Sequence, residues 1–366
     1  MPHVALYITG HGFGHATRAL AVAKALAERA PGIRLTLLAA VPEWLLRLNL
    51  AAPFELRPVS LDVGVVQLDA LRPDIRATLD AYAALQERLP ALVEAEAARL
   101  RAERVDLVLA DIPPAAFPIA RRLGVPGVGL SNFSWDWIYA DYADGLPEYQ
   151  ELVQAIRRDY AAAQLFLRLP FHGPCDAFPV VRDIPMIARR SRRSREEIRR
   201  QLGLNGARPV VLVSFGGFDV RGIDFDRVER LDEVLFLVTQ PLPRPLRNVQ
   251  VIPVGRMPYE DLVAQADAVL TKPGYGIVSD CLANGTRVLY TPRGRFAEYP
   301  RLLEALERYG VAHRLETPAL LAGDWGPALA ALLARPAAAA PLPADGAGVA
   351  ADVLLSLVER RQGGAA

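Results

Sequence analysis

The sequence predicts an α/β protein built from two parallel-sheet domains. Apolar strand-like runs alternate with helical patterns through both halves of the chain, the signature of βαβ units. Each half opens the same way, with a short buried strand running into a glycine-rich loop: residues 4–8 into 9–18, and 210–214 into Phe215-Gly216-Gly217. At 366 residues the chain is also long for a single core, which makes two domains the default.

After the opening strand and loop, residues 19–26 have helical periodicity. Residues 34–38 and 54–59 read as strands, 73–103 as one or two helices, and 105–110 and 127–131 as buried parallel strands with a helix between them. Around 178–194 the alternation breaks at Pro179, Pro185 and an arginine-rich run, which reads as a connector with a solvated basic face. Strands then resume at 210–214, 234–238, 249–252, 268–271 and 287–290. The expected division is 1–178, a linker 179–194, a second domain 195–345, and a C-terminal helix and tail 346–366 folding back on the first domain.

Composition narrows the function classes. Apolar residues make up 52%, charged residues 23%, and the net charge is +1, an ordinary globular balance with no general case for nucleic acid. Cys175 and Cys281 belong to no CxxC or Cys/His pattern, so neither a disulfide framework nor a zinc site is expected. Met-Pro-His leads straight into a strand without a signal-peptide pattern, and no apolar run approaches the ~20 residues of a membrane span. A cytoplasmic location is the expectation.

The opening loop, TGHGFGHATR, is GxGxG rather than GxGxxG. The second strand ends Leu38-Ala39-Ala40-Val41 with no carboxylate for a ribose hydroxyl, and no Gly-Lys-Ser/Thr follows. It is neither a dinucleotide fingerprint nor a P-loop. Its distinguishing residues are His11 and His15 beside a helix start. The positive dipole end there disfavours an imidazolium and keeps the ring available as a base. Either histidine fits that role, and both fit as polar loop residues satisfied by backbone. A base needs an orienting partner for its other ring nitrogen. Asp111, ending the strand 105–110, lies on the same sheet edge and is the best candidate, with helix N-capping a compatible role. Asn132, Trp135 and Asp136 follow the next strand edge. Aromatic and polar groups interleaved in this way suit a sugar ring, or aromatic packing between domains.

In the second half, Ser214, Gly216 and Gly217 form a turn whose N–H groups suit phosphate. Lys272-Pro273-Gly274-Tyr275-Gly276 joins a cation to a helix start, a combination that suits a diphosphate. Asp280, one and a half turns into that helix, is placed to accept from ribose hydroxyls. Arg256 and Met257 precede another helix and could border a base. Asp224-Phe225-Asp226 is a DxD among scattered surface charges and reads as solvated. No metal site is expected.

Together these residues resemble the GT-B fold, two Rossmann-like domains with parallel sheets facing across a cleft. The second half resembles the nucleotide-sugar signature of family 1 glycosyltransferases and the peptidoglycan N-acetylglucosaminyltransferase. Aligned on the signature's glycine at Gly274, its histidine falls on Lys272 and its ribose-binding glutamate on the shorter Asp280. Gly14-His15 is similar to the acceptor-side Gly-His of the same enzymes, which selects His15 over His11 as the base. Their histidine–aspartate dyad implies Asp111 as its partner, and Glu298 falls where they place donor-sugar contacts. GHGFGHATR, NFSWDWIYADY, SREEIRRQLG and KPGYGIVSD further resemble the glycosyltransferase-like N-terminal domain of plant L-arabinokinases, whose kinase activity does not carry over.

The expected function is an inverting, metal-independent glycosyltransferase, hexosyl or pentosyl, with His15 and Asp111 catalytic. The donor is a nucleotide-diphosphate sugar, a UDP-sugar by resemblance, and no separate cofactor is required. It would be held by Gly12, Gly14, Ser214, Gly216, Gly217, Arg256, Met257, Lys272, Gly274, Tyr275, Gly276, Asp280 and Glu298. His11, Asn132, Trp135 and Asp136 are the acceptor-side candidates. The acceptor is a small molecule, a glycan or a lipid-linked sugar, the last requiring membrane contact through Trp44-Leu45-Leu46, residues that otherwise read as core. The alternatives are a non-catalytic nucleotide-sugar sensor, or a nucleotide-sugar 2-epimerase or hydrolase on the same fold.

Overall fold

The computed structural model describes residues 1–69, 71–204, 206–215, 222–335 and 341–363. Two sheets organise it. The first contains β1 (His3–Ile8), β2 (Arg34–Ala39), β3 (Glu55–Arg57), β4 (Leu107–Asp111), β5 (Gly127–Ser131), β6 (Leu165–Arg168) and β7 (Val181–Asp183), in spatial order β3-β2-β1-β4-β5-β6-β7. The second contains β8 (Val210–Val213), β9 (Leu235–Val238), β10 (Val249–Val251), β11 (Ala268–Thr271), β12 (Arg287–Tyr290) and β13 (Ala312–Arg314), in order β10-β9-β8-β11-β12-β13. All the strand pairs in both sheets are parallel. Helices cover both faces, so central strands such as β1, β4 and β11 are buried throughout and largely apolar.

Each sheet reverses its strand order once, between β1 and β4 in the first and between β8 and β11 in the second. At such a switch point the loops leaving two neighbouring strands diverge and open a crevice. In the first sheet Ile8 pairs with Asp111, and the Thr9 N–H donates to the Asp111 carbonyl at 2.7 Å. In the second, the Ser214 N–H donates to the Leu270 carbonyl at 2.9 Å, one residue before β11 ends. Both glycine-rich loops therefore leave from equivalent places.

The residues read as a linker begin with an edge strand. β7 pairs with β6, and Arg168 donates twice to Asp183, at 2.6 and 3.0 Å. Pro179 and Pro185 flank it, as an edge strand tolerates. The basic run beyond is also less solvated than its composition implies. Arg189 pairs with Asp280, and Arg193 with Glu197 and Asp261.

The chain returns to the first domain at its end. Helix Gly346–Gly363 lies against helix Phe13–Arg29 and buries Ala350, Ala351, Leu354 and Val358. Burial of each such Leu or Val contributes roughly 1.5–3 kcal/mol. Asp352 accepts from Arg29 at 2.6 Å, and Arg361 reaches Asp106 at 3.3 Å. No helix among the described residues is long and apolar enough to cross a membrane.

Candidate active site

The two switch points face each other across a cleft of about 1120 Å³. The helices leaving them, Phe13–Arg29 and Tyr275–Asn284, nearly touch at their starts. A Cβ on Gly276 would lie 3.3 Å from the Gly14 Cα, so a side chain here would push the loops apart. Gly12, at φ 83°, supplies the left-handed turn that starts the first helix.

On the first wall, His15 lies in the opening turn of its helix and Asp111 ends β4. The Asp111 Oδ1 lies 2.8 Å from His15 Nδ1. With the proton on Nδ1, the ring donates to Asp111 and keeps a lone pair on Nε2. Asp111 is fully buried and has a second partner that sequence reasoning missed. Arg18 donates from Nε to Oδ2 and from Nη2 to Oδ1, both at 2.6 Å. It also donates to Ser131 Oγ at 2.7 Å and Asn132 Oδ1 at 2.9 Å. Its own signal in the sequence was slight: an arginine three residues after His15, on the same helical face, ahead of an apolar run.

Burial opposes ionisation of Asp111, but Arg18 and then His15 hold its carboxyl below the usual range. For His15, burial and then the Arg18 guanidinium push the imidazole below the ordinary histidine value, against Asp111 and Glu298. His11 is pushed well below it by burial and by Arg293, His15 and Lys272. His11 differs in its hydrogen bonding, because its Nδ1 lies 3.1 Å from the Val65 N–H and accepts from it. That leaves the His11 proton on Nε2, so its free nitrogen is a donor. Its ring stacks on Phe296 of the second domain, with centroids 6.0 Å apart.

The second wall holds Ser214, Arg256, Met257, Lys272, Gly274, Tyr275 and Gly276. Gly274 is the N-cap of helix Tyr275–Asn284, whose first N–H groups open onto the cleft beside Lys272. Burial, reinforced by Arg293, lowers the Lys272 ammonium to about 7. Ser214 accepts from the Tyr259 hydroxyl at 2.7 Å. The Tyr275 ring lies under the Arg18 guanidinium, 5.3 Å from ring centroid to Cζ. Gly216 and Gly217 lie outside the described residues.

Several expected contacts are placed elsewhere. Asp280 does not face the cleft for a ribose. Its oxygens accept from the Arg189 backbone N–H at 2.8 Å and from the Arg189 guanidinium at 3.0 and 2.5 Å. One and a half turns into the helix, the side chain has rotated past the cleft and meets the interdomain segment. Trp135 and Asp136 are fully buried and form no sugar platform. The Trp135 indole N–H donates to Asp62 at 2.9 Å, and Asp136 accepts from Arg157 at 2.8 Å. Their helix packs Tyr139 on Tyr82 and Trp135 on Phe133, so this interleaved pattern is core. Asn132 is buried too, but it bridges the domains: its side-chain N–H donates to Glu298 Oε2 at 3.0 Å. Glu298 Oε1 accepts from Arg293 at 3.3 Å, so both carboxylate oxygens are engaged although Glu298 borders the cleft. Of the proposed membrane contact, Leu45 and Leu46 are buried, while Trp44 is about half exposed at the cleft rim.

Two parallel α/β domains with facing switch points define the GT-B architecture, and the chain has this fold. It aligns along nearly its whole length with solved glycosyltransferases. The calicheamicin glycosyltransferase gives a TM-score of 0.60 at 18% identity, covering 99% of this chain and 96% of that one. MurG of Acinetobacter baumannii gives 0.60 at 17%, covering 97% and 100%. A Phytolacca americana UGT complexed with UDP-2fluoro-glucose and pterostilbene gives 0.61 at 15%, covering 98% and 94%. In sequence, the chain is similar to the L-arabinokinase of Arabidopsis thaliana, 34% identical over 333 residues, 89% of this chain. The match spans 31% of that protein's length. No protein-family model matches the sequence.

Proposed function

We propose that the protein transfers a sugar, hexosyl or pentosyl, from a nucleotide-diphosphate sugar to an acceptor hydroxyl, with inversion at the anomeric carbon. The observation that carries this reading is the pairing of two unlike switch points on one cleft: a histidine–carboxylate dyad on one wall, a lysine with a helix start on the other. Lys272 and the N–H groups from Gly274 onward hold the diphosphate, with Ser214, Arg256 and Met257 bordering the nucleotide. His15 Nε2 takes the acceptor proton as the acceptor oxygen bonds to the anomeric carbon. The bond to the diphosphate breaks on the opposite face. The leaving group's charge falls on Lys272 and the helix start, so the chemistry needs no divalent ion. A UDP-sugar is the first donor to try, because a UDP-sugar analogue is bound in the Phytolacca americana structure.

Thermal stabilisation by a panel of nucleotide-diphosphate sugars tests donor binding. Acceptor-dependent release of the nucleoside diphosphate then tests transfer. Stabilisation followed by acceptor-dependent release is the expected result, and no stabilisation by any member of the panel defeats the reading. One observation favours a second reading, binding without turnover: Arg18 already engages both oxygens of Asp111. Stabilisation with no release for any acceptor selects it.

A further inference from the structure

In a histidine–aspartate dyad the carboxylate aids the base in two ways. It fixes the ring tautomer, and its negative charge stabilises the imidazolium that forms. Here the second aid is cancelled. The Arg18 fork closes on Asp111 with two contacts of 2.6 Å, and its Nη2 lies 2.9 Å from His15 Nδ1. The pair is neutral, nearly inaccessible to solvent, and held from behind by Ser131 and Asn132. A proton added to His15 therefore meets a guanidinium beside a carboxylate already compensated. The other charged or titratable groups facing His15 are His11, whose ring centroid is 6.4 Å away, and Glu298 across the cleft. Glu298 is itself paired with Arg293.

We propose that Arg18 is a positioning residue that sets both the tautomer and the proton affinity of His15 by sharing Asp111. The fork points Oδ1 at His15 Nδ1 while cancelling the charge that would otherwise make the ring a stronger base. His15 then stays neutral across the physiological range, with Nε2 free. The consequence for transfer is specific. A weak base removes a proton readily only from an acidic acceptor hydroxyl, so Arg18 biases the site by acceptor acidity. The inference rests on the reading of His15 as the base only for that consequence. Its core concerns the ring alone and can be tested without donor or acceptor.

The experiment is a pH titration of the full chain with 15N-labelled histidine, followed by NMR. The chain has five histidines, and a His15→Gln variant assigns the resonance. In the unsubstituted protein, His15 should be neutral with its proton on Nδ1 and should begin to protonate only below the ordinary histidine range. In Arg18→Gln it should protonate about one pH unit or more higher, because an uncompensated carboxylate now faces it. Arg18→Gln combined with Asp111→Asn leaves no buried lone charge and serves if the single variant does not fold; there His15 should stay close to the unsubstituted value. A proton on Nε2, or titration near or above 6.5 in the unsubstituted protein, overturns the proposal. So does an Arg18→Gln variant that folds with His15 titrating unchanged. If transfer is present, the acidic limb of its pH profile should move up by the same interval in Arg18→Gln, with donor KM held within about twofold. Absence of transfer bears on the function and leaves the NMR result standing.

Discussion

The two switch points occupy equivalent places in their sheets and are furnished in opposite ways. Between β1 and β4, the charges of Asp111 and Arg18 are matched inside the protein, and burial and Arg18 push the His15 imidazole below the ordinary histidine value. Between β8 and β11, the wall offers positive charge to the cleft through Lys272 and the start of helix Tyr275–Asn284. The first site is complete without a ligand. The second carries a lysine whose ammonium is lowered to about 7 by burial and Arg293, against Asp69. One fold element is thus furnished in two ways, which the proposed function reads as a prearranged proton acceptor on one wall and a diphosphate site on the other.

If this division of labour is right, the two walls fail separately. His15→Ala removes the base and should lower the transfer rate by on the order of 10²–10⁴-fold. Donor binding, measured by thermal stabilisation, should stay within about threefold of the unsubstituted protein. Equal loss of binding and turnover would join the two walls into one site and break the comparison.

Asp280 sharpens the boundary of the donor wall. As a ribose ligand its loss would weaken the donor. As a latch for Arg189 its loss leaves a partly buried guanidinium over the Tyr259 ring without its carboxylate. Arg189 keeps some solvent access, so Asp280→Ala should destabilise the fold by about 2–3 kcal/mol, less than a fully buried pair. Urea denaturation measures this. Donor affinity in the folded fraction should change by less than about threefold.

The same residue shows where the sequence was legible and where it was not. The central strands were readable because parallel strands buried on both faces appear as continuous apolar runs, and their loops then fall on one edge by geometry alone, whereas the short outer strands β6, β7 and β13 went unread. Asp111 follows from that edge logic, since a strand end fixes where its last residue must lie, whereas the choice of His15 over His11 rests on the resemblance to the acceptor-side Gly-His. Asp280, Trp135 and Asp136 lie within helices, where the direction of a side chain depends on helix rotation against neighbours that lie far away in sequence. Arg189, which Asp280 meets, is 91 residues away. Arg18 is the intermediate case. Its spacing from His15 placed it on the right face, but nothing local said that an arginine would be buried against a carboxylate 93 residues distant.

Lys272→Gln attacks the second wall directly. On the proposed function it removes a charge-assisted contact to the diphosphate, a contact of about 1.5–3 kcal/mol. Donor affinity should fall by roughly ten- to a hundredfold, with the His15 titration unmoved. Calorimetric titration with the nucleotide sugar checks the first outcome, and the labelled-histidine spectrum checks the second.

The smallest effect is the most diagnostic of how the second wall works. In the free protein the Lys272 ammonium is lowered to about 7, and a bound diphosphate raises it by placing negative charge alongside. The bound state therefore holds more protons than the free state above pH 7. Affinity is highest below that value and weakens as pH rises through it, by about tenfold between pH 6 and pH 8 if the bound lysine stays protonated throughout. The ligand must be the nucleotide sugar and not the free nucleoside diphosphate. A terminal phosphate has its own ionisation near 6, and that would raise affinity over the same interval and hide the slope. The diphosphate of the sugar donor carries no such group. In Lys272→Gln the pH dependence should vanish along with the affinity lost. A slope that survives the substitution would place the titrating cation elsewhere on the wall. A flat profile in the unsubstituted protein would mean that Lys272 is already fully charged before the donor arrives, and that this wall is as prearranged as the other.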